Sequence, residues 1–314
     1  MNLPTFILTY SQALLSAPWR FTLTYLSYFT NTSHDYLTRN ISKKIAWNSI
    51  IKHLLFGRSL NQGYLIIDET DIDKSFAKKI KGLGWIFSHR KSKYIFGYHL
   101  VVVVWTNEIV TIPIALKLYK KGGKTKIDLA LELIIYCTCV LNIQPKAWLF
   151  DSLYSSEKIL SFLKKRNLIF YTQIKKNRLL DHKQVKHYEK GRPYWTKIGY
   201  LKGKIEIQLV KNRRKYYITN EIGIPRKKQL DTYKIRWKIE EVFRFVKQEF
   251  GFEKCQSQNL QAQINHFTTC FVLFAILQDI AEKTHLTVYA IKLKATRDPL
   301  FVKNINLSSY FSSA

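Results

Sequence analysis

Against 51 lysines and arginines this 314-residue chain sets only 22 acids, so the placing of each carboxylate carries information. Asp68 follows the apolar run YLII, and Asp151 follows AWLF. Each run reads as a buried strand with an acid at its C-terminal end, the end at which α/β sheets bind ligands. Two like charges on neighbouring strands repel unless a cation lies between them. A hard divalent cation such as Mg²⁺ takes carboxylate oxygens and does that job. One aspartate after an apolar run is also a common turn former or helix cap; it is the matching placement of two that singles them out. Glu69, Asp71 and Asp73 are rivals to Asp68. Strand alternation turns Glu69 to the opposite face, and the other two read as loop.

The third acid lies in YKIRWKIEEVFRFVK, residues 233–247. Read as one helix at about 100° per residue, the segment sets Tyr233, Arg236, Arg244 and Lys247 within about 40° of Glu240. Glu241 falls about 100° away. One face therefore joins a carboxylate to an aromatic hydroxyl and three cations, a set suited to holding a metal beside phosphates. The same spacing also permits plain i,i+4 ion pairs, Arg236–Glu240 and Glu240–Arg244, and spacing alone does not decide between the two.

The apolar periodicity gives the strands and helices that carry these acids. GYLIIDET, YIFGYHLVVVVWT and EIVTIPIALKLYK read as strands, the last two joined by a tight turn near Asn107. TKIDLALELIIYCTCVLNI reads as a helix ending before Pro145. KAWLFDS reads as a strand, SSEKILSFLKKRN as an amphipathic helix capped at Ser155 or Ser156, and LIFYTQIKKN as a fifth strand. The order β-β-β-α-β-α-β is that of a ribonuclease H-like α/β fold, a mixed sheet flanked by helices. Such strands are buried on both faces and read as continuous apolar runs.

Residues 61–177 and 231–290 are thus expected as the core, with 178–230 as a basic, β-rich insertion. Residues 291–314 form a C-terminal tail. Residues 1–60 form a helical N-terminal region, capped at Ser33 and Ser42, that either binds DNA or packs on the core.

The net charge of 51 − 22 = +29 is spread along the chain and favours a polyanion, nucleic acid first and an anionic membrane surface second. Basic segments KKGGK (120–124) and KNRRKYY (211–217) are candidate DNA contacts or solvated loops. Trp105 and Trp195 are either core or able to stack on a flipped base. His89 and His99 are not at ligand positions. The four cysteines, 137, 139, 255 and 270, show no zinc-site spacing and read as buried, reduced thiols of a cytoplasmic protein. No uninterrupted apolar stretch is long enough to span a membrane, and the N-terminus lacks the basic start of a signal peptide.

Tyr233, Arg236, Glu240 and Lys247 match the Y-(2)-R-(3)-E-(6)-K signature, and the chain resembles the bacterial DDE transposases of the insertion-sequence-four family. IIDET resembles that family's first aspartate motif and FDSLYSS its second, in the right order. The resemblance covers roughly residues 33–280. It implies DNA phosphodiester hydrolysis and strand transfer of an insertion sequence by cut-and-paste, through hairpin ends in relatives with this signature. Asp68, Asp151 and Glu240 would hold two Mg²⁺ or Mn²⁺ ions, and Tyr233, Arg236, Arg244 and Lys247 would contact DNA. The implied partners are double-stranded DNA, as terminal inverted repeats and target, and a second copy in a DNA-bound homodimer. Two other readings use the same fold: a transposase-derived DNA-binding protein without catalysis, and a metal-dependent nuclease that cuts without joining.

Overall fold

The computed structural model describes residues 3–77, 79–80, 82–88, 91–189 and 191–311. His89 lies outside them. The chain opens with four helices, α1 (Leu3–Ser16), α2 (Leu23–Ser27), α3 (His34–Ile41) and α4 (Trp47–Leu55). Ser33 caps α3 as expected, its hydroxyl accepting from the Tyr36 N–H. Ser42 instead ends α3, and α4 starts after Ala46 with no side-chain cap. The helices pack on the rest of the protein: the Trp47 indole N–H donates to Asn265 at 3.0 Å, and Asn265 donates to the carbonyls of Ile41 and Lys43, each at 2.7 Å.

The sheet begins with β1 (Tyr64–Asp73), β2 (Gly84–Ser88), β3 (Lys93–Thr106) and β4 (Thr111–Tyr119). Helix α5 (Lys126–Ile135), ending in a π turn over Tyr136–Val140, leads to β5 (Ala147–Phe150); α6 (Glu157–Lys165) leads to β6 (Phe170–Ile174). Ser156 caps α6. The order β4-β3-β1-β5-β6, with β5 parallel to both β1 and β6 and the early strands antiparallel, is the expected ribonuclease H-like arrangement. Val101–Val104 on β3 and Leu65–Ile67 on β1 are fully buried, which explains their unbroken apolar runs.

A short ribbon follows, β7 (Leu179–Leu180) with β8 (Lys183–Gln184), then β9 (Tyr194–Leu201), β10 (Ile205–Asn212) and β11 (Lys215–Thr219). The strands expected as an insertion continue the core sheet, because β11 pairs antiparallel with β6 and β10 and β9 add outward from it.

Two helices then return to the site, α7 (Arg226–Lys234) and α8 (Trp237–Glu249), followed by α9 (Leu260–Thr284). Helix α9 is long and apolar enough to cross a membrane, but most of it is buried inside the protein. Gly251, just after α8, has φ +58°, and a Cβ there would lie 2.1 Å from the Phe21 ring, so only glycine lets the chain turn off α8 against the N-terminal region. The chain closes with α10 (Val288–Arg297), α11 (Pro299–Asn304) and α12 (Leu307–Phe311). Buried Lys292 on α10 donates to the Leu15 and Ala17 carbonyls at 2.8 and 2.7 Å, placing a cation at the C-terminal end of α1, where the helix dipole favours it. Cys137, Cys255 and Cys270 are buried, whereas Cys139 is exposed; all four are free thiols.

Candidate active site

Strand β1 runs five residues beyond Asp68, so this acid lies mid-strand rather than at a strand end. What ends there is the parallel ladder: the last β1–β5 pair is Ile67 with Phe150. Asp68 is the next residue of β1, and Asp151 is the first residue past the end of β5. Past that pair β1 keeps β3 on one side, and its β5 side opens into a cleft of about 550 Å³. Asp68, Asp151 and Glu240 all line this cleft, with Glu69, Asp71, Trp237, Arg244 and Lys247.

The segment expected as one helix is two. Around Ile235 and Arg236 the bonds tighten to three-residue spacing, with Arg236 N–H to Tyr233 O, Lys238 N–H to Ile235 O and Ile239 N–H to Arg236 O. Tyr233 therefore belongs to α7, while Glu240, Arg244 and Lys247 belong to α8. Tyr233 is buried, edge-on to Tyr217 at 5.1 Å, with the Arg236 guanidinium 5.9 Å from its ring centre. It packs behind Arg236, not on the open cleft.

Arg236 holds the acids together. Its Nη1 donates to Asp68 Oδ2 at 2.5 Å, and its Nη2 donates to Glu240 Oε1 at 2.5 Å. The other Asp68 oxygen accepts the Glu69 N–H at 2.8 Å, and Asp151 Oδ1 accepts the Leu153 N–H at 2.8 Å. Burial raises Asp68 to about 7 against the pull of Arg236, with Asp151 adding to the rise. Asp151 is also raised, by burial first and then by Glu69, against the Leu153 N–H and Arg236. Arg236 is raised: burial opposes its charge, and Asp68 and Glu240 outweigh the burial. This is one cation balancing a carboxylate cluster in a site largely withdrawn from water.

Glu241 is exposed and pairs with Lys238, as the helical wheel expects. Arg244 is exposed along the cleft. Lys247 reaches back to β1, its Nζ donating to the Asp71 carbonyl at 2.6 Å and lying 3.0 Å from Glu253. Glu69, set aside by strand alternation, does face away from Arg236. Its Oε1 lies 2.7 Å from the Lys126 ammonium, and its Oε2 accepts from the Tyr154 hydroxyl at 3.2 Å. It still lines the cleft, because the strand is uncovered on its β5 side there. Asp71, expected in a loop, is on β1 beside buried His99, with Oδ1 2.9 Å from Nδ1. Burial would raise Asp71, but hydrogen bonds from His99 and Ser88 outweigh it and hold the carboxyl below its usual range.

Trp105 and Trp195 are buried core residues; Trp105 donates its indole N–H to the Leu60 carbonyl at 3.0 Å, and Trp195 packs between Tyr188 and Tyr216. The tryptophan at the cleft is Trp237, half-exposed. Sequence reasoning did not single it out; its position in the signature segment, three residues before Glu240, is the signal that could have found it.

The donor chemistry of three carboxylates suits a hard divalent cation. Among the described residues no group of three His, Cys, Asp or Glu is placed to hold a metal ion, and the guanidinium of Arg236 stands between Asp68 and Glu240. The residues fit a metal in kind, and Arg236 must move off at least one carboxylate for it to enter.

The family described as the transposase DDE domain matches residues 61–276, more than two thirds of the chain. No curated protein matches its sequence. Among solved structures, a piggyBac transposase synaptic complex with hairpin DNA shares the fold, with a TM-score of 0.59 at 11% identity over 99% of this chain and 71% of that one.

Proposed function

The chain belongs to the transposase DDE-domain family, and we propose that it cuts and rejoins DNA at the ends of an insertion sequence of the insertion-sequence-four kind. The observation that carries this reading is the convergence of Asp68, Asp151 and Glu240 on one cleft around Arg236. Double-stranded DNA is the substrate, as both the element's inverted repeats and its target, and two copies bring two ends together. The solved relative, a transposase in a synaptic complex with hairpin DNA, supports a DNA partner and a hairpin route.

Asp68, Asp151 and Glu240 are the residues that would hold Mg²⁺ or Mn²⁺, which when bound supplies Lewis-acid stabilisation of the attacking and leaving oxygens. The chain's own cations perform the electrostatic part. Attack of water on a phosphodiester breaks the bond to the 3′ oxygen and leaves a 3′-hydroxyl. Attack of that hydroxyl on a second phosphodiester forms a new P–O bond and releases another alcohol. In each step negative charge builds on the phosphoryl oxygens. Arg236, once off a carboxylate, and Arg244 along the cleft are placed to face that charge. Lys247 keeps β1 and α8 in register by its bond to Asp71. Tyr233 packs behind Arg236 and acts through it.

The experiment is cleavage of linear DNA carrying the element's terminal inverted repeats, with Mg²⁺. Free 3′-hydroxyl ends, hairpins and joined products that vanish in Asp68→Ala, Asp151→Ala and Glu240→Ala are expected. Sequence-specific binding without cleavage would sink the reading in favour of a non-catalytic DNA-binding protein. Cleavage without joining would favour a nuclease.

A further inference from the structure

Strand β2 and the start of β3 form a hairpin that carries a group of exposed aromatic rings. The register pairs Trp85 with Phe96 and Phe87 with Tyr94, which puts all four side chains on one face of the ribbon. Ile86 and Ile95, paired on the other face, are buried at 7% and 2% exposure, whereas Trp85, Phe87 and Tyr94 are 64%, 40% and 67% exposed. The apolar content needed to fold the hairpin is thus supplied by the isoleucine face, and folding does not account for the aromatic one. The rings meet edge-to-face, Trp85 with Phe96 at 5.6 Å and Phe87 with Tyr94 at 5.3 Å.

The position of this face is fixed by the ladder. Asp68 pairs with Val102 on β3, and Val102, Leu100, Tyr98 and Phe96 alternate along one side of that strand. The aromatic face is therefore on the same side of the sheet as the Asp68 carboxyl. It is six residues further along β3, roughly 20 Å at about 3.4 Å per residue. Lys91 ion-pairs with Asp73 at the end of β1, tying the hairpin to the strand that carries the site, and Lys93 is exposed beside Tyr94.

We propose that Trp85, Phe87, Tyr94 and Phe96 form a stacking platform for unpaired DNA bases on a strand entering or leaving the cleft. The proposal rests on the reading that the cleft acts on DNA. Exposed rings beside lysines, in a chain of net charge +29, are the combination that binds single strands without sequence preference: cations track the backbone and rings stack on bases. A protein partner fits less well, because lysine is depleted at protein interfaces and guards sheet edges against pairing.

The test is fluorescence anisotropy of the full chain in chelator, with a labelled oligothymidylate of about 16 nucleotides and a duplex of equal length. The double variant Trp85→Ala/Tyr94→Ala should bind the single strand about tenfold or more weakly and the duplex within about twofold of wild type. Trp85→Phe/Tyr94→Phe should retain single-strand binding. Both variants alter exposed side chains, and unchanged melting temperatures would verify folding. Unchanged single-strand affinity in the alanine variant overturns the proposal, as does an equal loss on duplex. A shift from dimer to monomer in sedimentation with unchanged single-strand affinity would make the face a protein interface instead. Wild-type protein that binds duplex but never cleaves it sinks the transposase reading, while a selective single-strand loss in the alanine variant would still support the platform.

Discussion

Arg236, at the N-cap of α8, and Asp68 on β1 are joined by a 2.5 Å hydrogen-bonded ion pair, and the same guanidinium holds Glu240 in the first turn of that helix. The pair locks the helix to the strand in the protein alone, in the position where a cation would sit between carboxylates. On the proposed reading, Arg236 and a divalent ion would compete for the same oxygens. Arg236→Ala should destabilise the metal-free protein, since it leaves buried carboxylates without a counter-charge, by about 3 kcal/mol. It should also enlarge the rise in melting temperature produced by Mg²⁺. Thermal melts with and without Mg²⁺ check this: an Mg²⁺ response no larger than that of wild type would show that Arg236 does not compete with the ion.

The elevation of Asp68 gives a pH dependence of defined sign. Its carboxyl titrates near 7 in the fold against 3.8 as the ordinary value. Between those values the folded state holds a proton that the unfolded chain has released. The stabilising contribution is fully present below about 4 and is lost as pH rises through about 7. Metal binding requires the ionised form, so Mg²⁺ affinity should increase over the same rise, with proton release. Calorimetric Mg²⁺ titrations in buffers of different ionisation enthalpy at pH 6 and pH 8 would measure it. Asp68→Asn should reduce the proton release, and the stability of wild type relative to this variant should fall as pH rises toward neutral.

The strands that lead to the cleft aspartates were legible because burial on both faces writes itself as an apolar run, and an acid after such a run is conspicuous in a chain with few acids. Asp68 and Asp151 follow the paired residues Ile67 and Phe150, a relation that two separate runs imply. Three features were not legible. The break at Ile235–Arg236 leaves no proline or glycine mark, so Tyr233 appeared to share a helix face with Glu240. Glu69 was set aside by alternation, which is correct about its face but silent on the cleft being open from the β5 side. Strand β2 was missed because GWIFS is only five residues long and apolar on both faces, so period two does not show.

His266 on α9 predicts the opposite pH behaviour to Asp68. It is buried, with Nδ1 2.8 Å from the Tyr10 hydroxyl and Nε2 3.1 Å from the Gly251 carbonyl. Nε2–H donates to the carbonyl, and Nδ1 accepts from the tyrosine. Burial lowers it to about 4 from 6.5, with the Gly251 carbonyl opposing. Its contribution is complete above about 6.5, where the unfolded histidine is also neutral, and is lost as pH falls toward about 4. Asp68 acts in the opposite sense over this range, so the readout is a difference: in denaturant unfolding, the stability of wild type relative to His266→Gln should fall from pH 7 to 4.5. Tyr10→Phe should cost about 1–2 kcal/mol at pH 7, because it leaves the buried Nδ1 unsatisfied.

The adjacent glutamates of α8 give the sharpest discrimination. Glu240 lines the cleft on Arg236, while Glu241 is exposed and pairs with Lys238 one turn back along the helix. The two differ by one position and by nothing in side-chain chemistry, so a general loss of negative charge from the helix would affect them alike. Glu240→Gln keeps the size of the side chain and leaves Arg236 its bond to Asp68, so the fold should hold while a metal ligand is lost. DNA cleavage should fall about a hundredfold or more, with Mg²⁺ affinity reduced in step. Glu241→Gln removes a surface ion pair worth under about 1 kcal/mol and should cleave at the wild-type rate. Single-turnover cleavage of terminal-repeat DNA, run on both variants across a range of Mg²⁺ concentrations, decides it. Loss in Glu241→Gln with retention in Glu240→Gln would remove Glu240 from the site and with it the carboxylate cluster on which the catalytic reading stands.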